Sequence, residues 1–294
     1  MFSADSSGQY RDRKVAAQYR TRSAAAEYAD SYGRAGPAAR YFRSRLHLIS
    51  STLASCPGGD LVDIGCGPGM MVRELLDSRP DFRIIAVDRS AAMVGECAAR
   101  TEGADNVVAL VARAEEIPFR DASFDVALAM GVLEYADAKA ALAEITRVLR
   151  PGGRLLATML NPMSPYRIVE WHVYWPLLRM LGRVEGWLHV PPSRRHSAAD
   201  TGIRAYRERT FRDLLVKAGL CSKDVAYYDV NMLVPPIDRI ARRSARSRRE
   251  NPEGTVSRGW RRHFGTAYMV EATPLPRPAT RHPAPTLGRL RHPS

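Results

Sequence analysis

The chain has 294 residues, 45% of them hydrophobic, which suffices for one sizeable core with appended segments. No run nears the ~20 apolar residues of a membrane span, the polar start MFSADSSGQYRDRK is unlike a secretory signal, and Cys56, Cys66, Cys97 and Cys221 form no CxxC pair, so a cytoplasmic protein without disulfide framework or metal site is expected. The net charge of +13 is concentrated in residues 235–294, and every basic residue except Lys14, Lys139, Lys217 and Lys223 is arginine, a skew that suits a GC-rich genome better than a nucleic-acid surface.

Residues 1–50 read as an N-terminal helical cap, polar and carrying Tyr10, Tyr19, Tyr28, Tyr32 and Tyr41. Residues 51–160 alternate short apolar runs (LVDIG, RIIAVD, NVVALVA, FDVALAM, GRLLATML) with helical patterns, the signature of βαβ units around a parallel sheet buried on both faces. The clearest helix follows Asp137 as N-cap, with Ala138, Ala141, Leu142, Ile145, Val148 and Leu149 at helical spacing, and RPGG stops it. Residues 161–210, rich in Pro, aromatics and Arg, break the alternation as an inserted lid that is helical from Tyr166 to Leu181. A helix (TFRDLLVKAGL) and two strands (CSKDVAYYDV, TAYMVEAT) complete the sheet within 211–274, and the Pro- and Arg-rich residues 275–294 read as a disordered tail.

The stretch LVDIGCGPGM places Gly65, Gly67 and Gly69 behind an apolar strand and ahead of a helix. In an open parallel sheet that loop meets the ligand, and its backbone N–H groups lie at the positive end of the helix dipole. The GxGxG spacing departs from the dinucleotide GxGxxG, with Met70 where the last glycine would fall. Asp88, ending the second strand, suits the two hydroxyls of an unmodified ribose.

LVDIGCGPG, AVDRSAAMV, VARAEEIPFRDASFDVALAMGVLEYA and ITRVLRPGGRLL, in this order over about residues 55–160, resemble the class I S-adenosylmethionine-dependent methyltransferases, in particular the subgroup acting on quinones, lipids and small natural products. The resemblance implies a Rossmann-like, doubly wound, mainly parallel seven-stranded sheet with helices on both faces, its last strand antiparallel. It implies S-adenosyl-L-methionine as cofactor, with Asp63, Gly65, Gly67 and Gly69 at the methionine end, Asp88 at the ribose, Arg89 and Met93 flanking the adenine, and Met130 on the methionine side. Where the family has Gly-Asp-Ala this chain has Ala112-Arg113-Ala114, so Ala114 and Glu115 are taken for the adenine edge. Related enzymes close an N-terminal helix over the cofactor, which makes Tyr32 a candidate beside the reacting sulfonium and Tyr28 beside the acceptor.

Methyl transfer from a sulfonium needs an aligned acceptor, exclusion of water and, for a protic acceptor, a base. On a helical lid Tyr166, Glu170 and Tyr174 share one face and Arg167, Trp171 and Trp175 a neighbouring one. These aromatics are expected to enclose a small, largely apolar acceptor, with Glu170 or His172 as base. The expected setting is bacterial specialised metabolism. An alternative is carbon methylation of an isoprenyl diphosphate, with Glu170 as base, the arginines of 194–212 and 239–262 on the diphosphate, and Mg²⁺ only in that case. The same arginines read equally as a solvated surface or one drawn weakly to anionic lipid. From other classes stand a non-catalytic cofactor-binding protein and a nucleic-acid methyltransferase; against the latter, MGVLEY occupies the place where base-directed enzymes carry an NPPY-type tetrapeptide.

Overall fold

The computed structural model describes residues 21–33, 37–196, 203–237 and 259–276. The region of Tyr10 and Tyr19, most of the 239–262 arginine segment and nearly all of the expected disordered tail lie outside them. The strands are β1 (Gly59–Ile64), β2 (Phe82–Asp88), β3 (Val107–Val111), β4 (Phe124–Met130), β5 (Leu149–Leu160), β6 (Leu220–Val230) and β7 (Gly265–Pro274). They form one seven-stranded sheet in the order β3-β2-β1-β4-β5-β7-β6. Strands β1 to β5 pair in parallel, and β7 runs antiparallel between β5 and β6. The order reverses between β1 and β4, so the crevice where such sheets bind ligands opens beyond the carboxyl ends of these two strands.

The helices are α1 (Arg22–Gly33), α2 (Pro37–Leu53), α3 (Met70–Ser78), α4 (Ala91–Arg100), α5 (Ala138–Val148), α6 (Pro165–Val169), α7 (Trp175–Trp187) and α8 (Glu208–Lys217). Successive strand residues serve opposite faces. Val62 and Ile64 join the core under α5 and α8, whereas Leu61, Ile84 and Leu128 join the core under α2, α3 and α4. Asp63 therefore lies on the α2 face, the only charged position of β1 that is fully buried. As expected, Asp137 caps α5, its carboxylate accepting from Lys139 N (3.0 Å) and Ala140 N (3.2 Å).

Two elements depart from the sequence reading. Helix α5 ends at Val148 and β5 starts at once: Leu149 pairs with Phe124, then Arg154 with Val126, so the RPGG residues form a register shift with Gly152 at φ +81°. The Pro-Gly pair that stops the helix thus serves as a bulge inside the next strand. The lid helix runs past Leu181 to Trp187 and holds one π turn, Glu170–Tyr174, between α6 and α7. The wider turn inserts a residue into the helical repeat. Arg167 and Trp175 therefore both reach the crevice, while Trp171 between them packs against the α2-side core.

The N-terminal helices are tied to the sheet by buried charge. Arg40 of α2 donates to Asp229 of β6, and the same carboxylate accepts from the hydroxyl of Thr266 on β7.

Candidate active site

A cavity of about 810 Å³ lies over the carboxyl ends of β1, β2 and β4. One end is walled by the loops after β1, β2 and β3; the other is closed by α1, α2 and the lid helix. Of the expected cofactor residues, Gly65, Gly67, Asp88, Arg89, Met93, Ala114, Glu115 and Met130 line it. Of the expected acceptor residues, Tyr28, Arg167 and Trp175 do.

The loop glycines divide their work. A Cβ on Gly67 (φ +54°) would meet only Tyr28 Cε1, at 3.9 Å, so its backbone faces open space. A Cβ on Gly69 (φ +78°) would stand 2.7 Å from Cys97 Sγ, so that glycine lets α3 and α4 close on each other and is not among the residues lining the cavity. Asp88 is held by Gly67 N at 3.0 Å and Ser90 N at 2.8 Å, which fixes a carboxylate at the mouth of β2. Burial raises its pKa against those two hydrogen bonds and the nearby Arg89.

Asp63 sits behind this loop with 0% exposure, and among the described residues neither carboxylate oxygen has a hydrogen-bond partner. Burial, opposed by Arg45 and reinforced by Asp88, pushes it to about 7. A buried acid without a donor is costly, and a cationic group arriving over the loop would supply the missing donor. The residues present therefore fit a zwitterionic amino-acid end beside Asp63 and a ribose beside Asp88. Glu115 is already engaged, accepting from Asp137 N at 3.0 Å and facing Arg113 Nε at 3.4 Å.

The expected catalytic group falls elsewhere. Glu170 is buried, accepts from Arg167 Nη1 at 2.5 Å and is not among the residues lining the cavity; the ion pair replaces the acceptor as its partner. His172 lies on the exposed face of the π turn. Tyr32 is buried, accepts from Arg45 Nη2 at 2.9 Å and stacks on Phe42 at 4.2 Å between ring centroids. Tyr166 is buried under the Arg167 guanidinium, and Trp171 and Tyr174 are half-buried away from the cavity wall.

Residues to which the sequence assigned no site role also line the acceptor end: Tyr41, Phe42, Arg45 and Glu134. Arg45 is buried on α2, with its guanidinium 5.3 Å from the centroids of both Tyr41 and Phe42. Glu134 is 3% exposed, its Oε1 accepts from Leu160 N at 2.6 Å, and burial, against Arg45 and Arg167, pushes it to about 7. The only sequence signal for it was a carboxylate directly after buried Leu133 in the loop that follows β4.

The fold and this crevice define a class of α/β protein that holds a nucleoside-bearing small molecule at the switch point of its sheet. A family model described as "Methyltransferase domain" matches residues 62–157. The ubiquinone/menaquinone biosynthesis C-methyltransferase UbiE of Hahella chejuensis is 33% identical over 174 residues, covering 56% of this chain and 68% of that protein. The malonyl-[acyl-carrier protein] O-methyltransferase of the same organism is 34% identical over 127 residues, covering 42% of this chain and 45% of its own, so the match spans less than half of that relative. Among solved structures, a SAM-dependent methyltransferase from Thermotoga maritima superposes with a TM-score of 0.52 at 20% identity, covering 84% and 94% of the two chains. The chain belongs to the class I S-adenosylmethionine-dependent methyltransferases.

Proposed function

We propose that this protein transfers the methyl group of S-adenosylmethionine to a small, largely apolar acceptor in bacterial specialised metabolism. The observation that carries the reading is the buried Asp63 carboxylate, without a partner among the described residues, behind an open Gly67 backbone that lines a cavity running on into an aromatic chamber. Asp63 and the Gly65–Gly67 backbone would hold the amino-acid end, Asp88 the ribose, and Arg89, Met93 and Ala114 the adenine. When bound, the cofactor supplies an electrophilic methyl group on a sulfonium. The chain's part is to orient the acceptor between Tyr28, Tyr41, Phe42 and Trp175, and to exclude water by closing α1, α2 and the lid over it. The named relatives act in quinone biosynthesis and on a malonyl group carried by acyl-carrier protein, and both names are compatible with a small organic acceptor.

Carbon methylation of an isoprenyl diphosphate has less support, because its base, Glu170, is neutralised by Arg167 off the cavity wall. The test is a screen with methyl-labelled cofactor over quinones, phenols, lipids and prenyl diphosphates, with RNA and DNA as controls. Label in an organic-extractable product supports the reading; label only in nucleic acid overturns it.

A further inference from the structure

Among the described residues the acceptor end of the cavity contains one carboxylate, Glu134, to which the sequence assigned no role. Its two oxygens are inequivalent: Oε1 is fixed by Leu160 N–H at 2.6 Å, while Oε2 lies 3.7 Å from the point where a Cβ on Gly131 would stand. Gly131 directly follows β4 at φ +66°, with its N–H held by Thr158 Oγ1 at 3.0 Å, so the loop is anchored to β5 at its start as well as through Glu134. The charged and titratable groups facing Glu134 are Arg45 from α2, Arg167 from α6, Tyr41 from α2, Tyr228 from β6 and Tyr268 from β7. Arg45 and Arg167 line the same end of the cavity, and each keeps a buried Nε with no hydrogen-bond partner among the described residues.

Resting on the methyl-transfer reading, we infer that Glu134 is the catalytic base for an acceptor with an acidic hydroxyl on a flat, apolar frame, of the phenol or hydroxyquinone class. In the step, a bond forms between the acceptor oxygen and the methyl carbon as the sulfur–methyl bond breaks. The sulfur keeps the electron pair of that bond, and the hydroxyl proton passes to Glu134. The anchored Oε1 keeps the carboxyl in place, and the cationic guanidinium groups of Arg45 and Arg167, which line the same end of the cavity, stabilise the negative charge left on the oxygen as its proton departs. A carboxyl near neutrality is matched to a phenolic proton, whose ordinary pKa is about 10, far better than to an alkane C–H. An acceptor that is already a carboxylate needs no base and meets the repulsion of ionised Glu134. The aromatic walls Tyr41, Phe42 and Trp175 suit a flat ring.

The experiment uses the full chain with labelled cofactor and three probes: 1-naphthol, 5-hydroxy-1,4-naphthoquinone and 1-naphthoic acid. Glu134→Gln, Glu134→Asp and wild type are compared, with the affinity for S-adenosylhomocysteine measured on each. The expected result is methylation of a hydroxyl probe with a rate that rises with pH through an inflection near 7. Glu134→Gln should lose about 100-fold or more in kcat and the inflection, Glu134→Asp should recover part of the rate, and all three should bind the homocysteine product within a few-fold. Glu134→Gln turning over at the wild-type rate with an unchanged pH profile overturns the inference. So does methylation of the naphthoate alone, or of none of the probes by protein that binds the product. Wild type that fails to bind S-adenosylhomocysteine overturns the underlying methyl-transfer reading instead.

Discussion

Two buried acids, Asp63 and Glu134, both held at about 7, set the behaviour of the site at the scale of single residues. Each folded value lies above the ordinary carboxylate range, so their contribution to stability is fullest at acid pH and is lost as the pH rises through 7. The surface acids Asp60, Asp81, Glu144 and Glu185 are shifted down and finish titrating at lower pH. Ligand-free protein should therefore melt at a lower temperature at about pH 8 than at about pH 6, and S-adenosylhomocysteine should narrow the gap; a gap unchanged by ligand contradicts the assignment of Asp63. The same group predicts proton release when the ligand binds. Calorimetry in buffers of different ionisation enthalpy should show a fractional proton released near pH 7, absent in Asp63→Asn. The loop glycines separate by readout. Gly69→Ala should cost stability by roughly 1–3 kcal/mol through its clash with Cys97, whereas Gly67→Val should keep much of the fold and lose the cofactor. Equal effects of both on melting and binding would contradict the division.

At the scale of elements, the strands were legible because β1, β2 and β4 are mostly apolar runs, ending before the glycine loop, at Asp88 and at Met130 respectively. The cap at Asp137 was legible too, since its residue type and the apolar spacing behind it agree. The π turn at Glu170–Tyr174 was not, because the segment widens once and so departs from the regular 3.6-residue repeat on which helical spacing rests. That single turn explains why Arg167 and Trp175 line the cavity while Glu170 and Trp171 do not. Arg45 was hidden for another reason: among the many arginines of this chain, nothing in one-dimensional spacing distinguishes a buried one. The Arg40–Asp229 pair fastens α2 to the sheet, and removing one partner strands the other charge. Asp229→Ala should lower stability by about 3–5 kcal/mol in denaturant unfolding, with α2 as the element loosened; a loss under 1 kcal/mol would contradict this role.

At the scale of the molecule, the glycine loop, Asp88 and the chamber of Tyr28, Tyr41, Phe42 and Trp175 form one continuous cavity. The order of strands brings the first two together, and the N-terminal helices with the lid add the third. The cofactor side was legible because its groups belong to a local strand-turn-helix unit. The acceptor side was not, since it is assembled from α1, α2, the loop after β4 and α6, segments far apart in sequence. No helix among the described residues is long and apolar enough to cross a membrane. Function of this site begins with cofactor recognition, and the most direct measurement of it is isothermal titration of the full chain with S-adenosylhomocysteine. The predicted result is one ligand per chain in the micromolar range, weakened at least tenfold by Asp63→Asn; no heat and no binding at millimolar ligand would contradict it.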